Sequence, residues 1–143
     1  MKEKYGDASS WAVWNTDYAD SKPSRNINDL SVFDSPNLSE LNTGFVFVGL
    51  NRSGKPKDGN AEKKPKDPWF NFHAGRNDFK LRYALQGTRY WGSYITDAIK
   101  DYQETDSGEV EKTLKSNPER VDENLKGLRE ELELLGGKPV LVA

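Results

Sequence analysis

The stretch Phe45–Gly54, FVFVGLNRSG, runs from residues fit for burial straight into a carboxamide, a guanidinium and a hydroxyl. An apolar run ending so abruptly suits a strand that delivers Asn51, Arg52 and Ser53 to one edge of a sheet. In open α/β sheets the edge beyond the strands' carboxyl ends is where ligands bind. The side-chain inventory narrows the chemistry further. There is no cysteine and only one histidine, His73, so thiolate nucleophiles, disulfides and multi-histidine metal sites are excluded. No carboxylate spacing argues for a metal, and no cofactor is implied. GLNRSGKP lacks the spacing of a Walker loop and of the dinucleotide fingerprint G-x-G-x-x-G, and nothing after WNTDYADS resembles a nucleophile elbow.

The charge distribution points to a class of ligand. Residues 51–90 carry ten Lys/Arg against four Asp/Glu, a local balance of +6 in a chain whose total is −2. A basic segment that starts at Asn51 suits an anion such as a nucleic-acid backbone, whereas the acidic remainder reads as solvated surface. A flexible lysine-rich loop without a partner accounts equally well for GKPKDGNAEKKPKDP.

Positioning these residues requires a framework, and its elements are readable. SSWAVW (9–14) and GFVFVGL (44–50) read as strands, the second continuous enough to be covered on both faces. The polar, proline-containing stretch between them reads as loop, with one helical turn near 35–41. Residues 52–68 again read as loop. An Asn/Asp start, apolar spacing and a glycine stop predict a helix over 77–87, and SYITDAI (93–99) a third strand. Val121, Leu125, Leu128, Leu132 and Leu135 are spaced 4, 3, 4 and 3, so they form one apolar stripe on a helix. Asn117 is placed to cap it, Pro118 to start it and Gly136-Gly137 to end it. KPVLVA supplies a fourth strand. The alternation predicts an α/β protein, a three-layer α/β/α sandwich around a mostly parallel four-stranded sheet.

At 143 residues and 16.2 kDa a single domain over 1–143 is expected, and a mean hydropathy of −0.88 with 31% charged residues predicts solubility. No window approaches the roughly 18 apolar residues of a membrane span, and MKEKYGDASS lacks a signal peptide's apolar core. The expected location is the cytoplasm.

From about Leu41 to Ala143, the order VGLNRSG, PWFNFHAGRNDFKLRYALQGT, YWGSYITDAIK, amphipathic helix and KPVLVA resembles the uracil-DNA glycosylase superfamily, nearest its mismatch-specific uracil/thymine branch. The family's proline after the motif asparagine is Arg52 here, and its second motif, a loop that inserts into the duplex, has no counterpart before Ala143. The resemblance implies hydrolysis of the N-glycosidic bond of a base flipped out of DNA. Asn51 would hold the water and His73 would donate to the uracil anion as it departs. Phe70 or Phe72 would stack on the base, and Asn71 would accept from uracil N3–H and donate to O4. Thr96 and Asp97 would form the floor of the site, and Arg52, Ser53, Lys55 and Arg76 would meet phosphates. A nucleic-acid-binding module of the same fold that cuts nothing is the alternative. A chain incomplete at its C-terminus is a third reading; it predicts an exposed apolar edge near Val140–Val142 that favours a dimer.

Overall fold

The computed structural model describes residues 1–17, 21–34, 38–52, 67–73 and 77–143. Two eleven-residue strands form its centre, β2 (Asn42–Arg52) and β3 (Ser93–Gln103), which run parallel with Val46 opposite Tyr94, Gly49 opposite Asp97 and Asn51 opposite Ile99. A short helix α1 (Lys2–Tyr5) leads into β1 (Ser9–Trp11), antiparallel to β3. At the other side of the sheet β4 (Val140–Val142) lies parallel to β2. The order is therefore β1-β3-β2-β4, a mixed, mostly parallel four-stranded sheet flanked by helices. The expected α/β class and all four strand regions are present.

Helix α2 (Asp78–Leu85) connects β2 to β3, and α3 (Ser107–Ser116) and α4 (Pro118–Leu135) connect β3 to β4. Because side chains alternate along a strand, the sheet's two faces collect different partners. Val46 and Tyr94 join Trp11, Val13 and Trp69 on one face, with Leu132 and Leu135 of α4 packed against them. Phe47 and Ile95 face the other way, toward Ala12, Trp14, Leu81 and Leu85.

Several boundaries differ from the expectation for identifiable reasons. β1 stops at Trp11, although Ala12, Val13 and Trp14 are buried beyond it. Asn51 and Arg52 belong to β2 rather than to a loop, because they still pair with Ile99 and Gln103 of a β3 that runs four residues past Ile99. The single expected helical turn is two 3₁₀ turns, Leu30–Phe33 and Leu38–Glu40. Helix α3 was not expected; Asp106 caps it by accepting from the amides of Gly108 and Glu109.

Helix α4 keeps its predicted bounds, but Asn117 does not cap it with its side chain, whose Nδ2 donates back to the carbonyl of Thr113 in the preceding helix. Gly136, at φ 73°, ends it as expected. Nor is the leucine stripe buried along its whole length. Leu128 is buried, whereas Leu125 is 36% exposed, and the fully buried Glu131 sits beside the stripe.

Candidate functional site

The chemistry-bearing residues gather at two levels of the sheet. Asp97, midway along β3, and Gly49, three residues before the end of β2, are register partners, and the Asp97 side chain points to the Phe47/Ile95 face. A Cβ at position 49 would overlap Asp97 Oδ1, so the glycine makes room for the carboxylate. Asp97 is only 3% exposed, and burial raises its pKa to about 6. Hydrogen bonding from Asn71 and the charges of Lys100 and Arg52 oppose that rise, and Glu131 adds to it.

Asn71 lies in segment 67–73, which is fixed to the β1 region at many points. The Trp69 amide donates to Gly6 O at 2.6 Å, and Ser10 Oγ donates to Trp69 O at 2.8 Å. Trp14 Nε1 donates to Phe72 O at 3.2 Å. These bonds hold Trp69 and Phe72 at φ 72° and 66°, left-handed conformations that cost bulky residues about 1–3 kcal/mol each. Between the two strained residues, Asn71 Nδ2 donates to Ala8 O at 2.8 Å and to Asp97 Oδ2 at 3.2 Å. A backbone carbonyl can only accept, as can the Asp97 carboxylate when ionised, so the amide has one orientation. Its two hydrogens are spent, and what it can still offer is the Oδ1 acceptor. The expected donation to uracil O4 is therefore corrected: those hydrogens are already bound to Ala8 and Asp97.

The other predicted residues separate. Asn51 stands at the end of β2 on the same face as Gly49, but its Nδ2 donates to the carbonyls of Arg52 and Glu104 at 3.0 and 2.9 Å, tying the ends of β2 and β3 together. Its remaining capacity is likewise an acceptor. His73 is fully buried, between Trp14 and Phe33 at ring distances of 5.2 and 5.3 Å. Its Nε2 is 3.3 Å from Trp11 O and must carry the proton, since a carbonyl only accepts. Burial lowers its pKa to about 4 and keeps it neutral, a core histidine with no opening to a substrate.

Thr96 and Asp97 point to opposite faces. The Thr96 hydroxyl donates to Glu131 Oε1 at 3.0 Å, in a buried network where the Tyr94 hydroxyl is 2.6 Å from the same oxygen and Lys100 Nζ 2.7 Å from Oε2. Burial, then the Glu131 charge, pushes the Tyr94 pKa up. Thr96 thus anchors α4 and does not share a floor with Asp97. Of the two stacking candidates, Phe72 packs against the Trp14 core cluster, whereas Phe70 is half-buried and belongs to neither cluster. Arg52 is half-buried at the strand end; Ser53, Lys55 and Arg76 lie outside the described residues.

A shallow groove of about 450 Å³ opens at the opposite, amino edge, where Glu40 precedes β2 and Trp91 precedes β3. Trp14, Thr16, Gln86, Gly87 and Thr88 complete its lining. Its residues come from three separate stretches, 14–16, 40 and 86–91, so no local motif in the sequence marks it. Among the described residues there is no group of three or more His, Cys, Asp or Glu that could hold a metal ion, and no helix is long and apolar enough to cross a membrane. No protein-family model, curated protein or solved structure matches the chain.

Proposed function

We propose that the chain is a three-layer α/β/α protein of the uracil-DNA glycosylase type, whose carboxyl sheet edge receives an unpaired uracil or related base from DNA and hydrolyses its glycosidic bond. The observation that carries this reading is the locked amide of Asn71, held between two strained aromatic residues and against a buried carboxylate. An amide fixed as an acceptor takes the N3–H of uracil and repels the N3 lone pair of cytosine. Phe70 supplies the stacking ring, and Asn51 Oδ1 accepts from the attacking water. A neutral acceptor orients water without deprotonating it, which suffices for a leaving group as stable as the uracil anion.

A second reading, base binding without cleavage, is favoured by two specific observations. His73 is enclosed in the core, and Asn51 spends both amide hydrogens on strand carbonyls. The two readings separate in one assay: uracil release from single-stranded and G·U duplex DNA, scored by strand scission in alkali, with the Asn51→Ala variant alongside. Release abolished by the substitution is the expected result. Salt-sensitive binding without release selects the second reading, and neither binding nor release refutes both.

A further inference from the structure

At the amino half of β2 an aromatic ledge lies on the same face as the candidate site. Phe45 and Tyr90 meet edge to face at 4.9 Å, and Phe47 and Tyr90 at 5.8 Å. The Arg89 guanidinium lies over two of these rings, 5.3 Å from the centre of Phe45 and 5.0 Å from that of Tyr90, and its Nη2 donates to the Tyr90 hydroxyl at 2.9 Å. Asn42 Nδ2 holds the backbone beneath it by donating to Arg89 O. Phe45 and Tyr90 are half-buried and Arg89 is exposed. Val140, the register partner of Phe45, is 57% exposed, so the ledge continues onto open sheet. Arg89 makes no ion pair among the described residues.

We propose that this ledge is a stacking subsite for single-stranded DNA, separate from the base site at Asn71. Ring faces accept any base, and a cation held above them by a cation–π contact is placed to meet the phosphate between two stacked nucleotides. The charge along the sequence agrees with this: Arg89 belongs to the segment 51–90 that carries +6. Geometry also gives the strand a path. Phe45, Phe47, Gly49 and Asn51 alternate onto one face of β2, about 20 Å from first to last at the rise of a strand. DNA lying along that row would place one nucleotide on the ledge while another reaches the carboxyl edge. Two ring-free positions, at Gly49 and Asn51, follow the two phenylalanines, so stacking ends where base reading begins.

The subsite does not depend on uracil chemistry, and its test uses a strand without uracil. Fluorescence anisotropy of a labelled oligothymidylate is measured against salt for the full chain, Arg89→Gln, Tyr90→Phe and Tyr90→Ala, with circular dichroism confirming each fold. Tyr90→Ala is expected to weaken binding about tenfold or more and Tyr90→Phe to stay within a few-fold. Arg89→Gln, an exposed position that leaves the core intact, is expected to lower the salt slope by about one. Unchanged affinity and slope in folded Tyr90→Ala and Arg89→Gln would overturn the proposal. So would self-association that Tyr90→Ala abolishes in a chain that does not bind the strand, since the ledge would then be a protein interface.

Discussion

Asp97 is the most informative single residue, because its burial has a measurable cost. Its folded pKa, about 6, lies above the ordinary carboxylate value of 3.8, so the stability it contributes is full below pH 4 and lost as pH rises through 6. His73 works in the opposite sense. With a pKa lowered from 6.5 to about 4, its contribution is present above pH 6.5 and lost as pH falls through 4. Each is of order 3 kcal/mol at full extent, so the two slopes largely cancel between pH 4 and 6. Asp97→Asn keeps the acceptor for Asn71 and removes one slope. The variant should melt higher than wild type at pH 7, by up to about 3 kcal/mol in stability, and the difference should shrink toward pH 4. A difference that does not change with pH would show that Asp97 is not desolvated. Its neighbour gives a steric check: Gly49→Ala should cost about 1–3 kcal/mol in urea unfolding, because the added methyl overlaps Asp97 Oδ1.

Among the elements, α2 does more than connect strands. Arg82, 1% exposed, donates to the carbonyls of Asn15, Pro23 and Arg25 and so holds the long connection after β1 against the helix. Removing the guanidinium leaves three carbonyls without their donor, and Arg82→Ala should lose about 3 kcal/mol or more. Amide exchange at residues 21–29 should accelerate to match. Arg82→Lys should not restore protection, since an ammonium lacks the planar fork that spans these acceptors. Wild-type exchange rates in that connection would refute the role assigned to Arg82.

The same scale shows what the sequence makes legible. β2, α2, β3 and α4 can be read from apolar runs, a 4-3-4-3 stripe and glycine or proline stops, all of them local signals. Helix α3 also carries a local signal, the Asp106 cap before Ser-Gly-Glu, but its two apolar residues, Val110 and Leu114, are too few to form a readable stripe. The site was less legible. That Asn71 is bound to Ala8 and Asp97, that Thr96 turns to Glu131 and that His73 lies inside the core all depend on contacts between distant segments. A motif places a residue at a sheet edge but does not fix which partners its polar atoms meet.

For the whole molecule, one face of β2 carries the Phe45/Tyr90 ledge at its amino half and Gly49, opposite Asp97, further along, the two places where the proposals put a stacked and a flipped base. The sheet's β4 flank is apolar and open, with Val140 and Leu141 57% and 53% exposed. Sedimentation velocity should therefore detect a dimer that grows with concentration and is lost in Leu141→Lys. A monomer at every concentration would rule out self-association through that edge. The proposed base reading rests on one hydrogen bond, from an unpaired uracil N3–H to Asn71 Oδ1. Its direct test is the affinity of Asn51→Ala, which removes the proposed water-holding acceptor, for two single strands that differ only in carrying uracil or 3-methyluracil at one position. Binding to the methylated strand is expected to be at least about tenfold weaker, since the donor is gone and the methyl meets a fixed acceptor. Equal affinity for the two strands would contradict it.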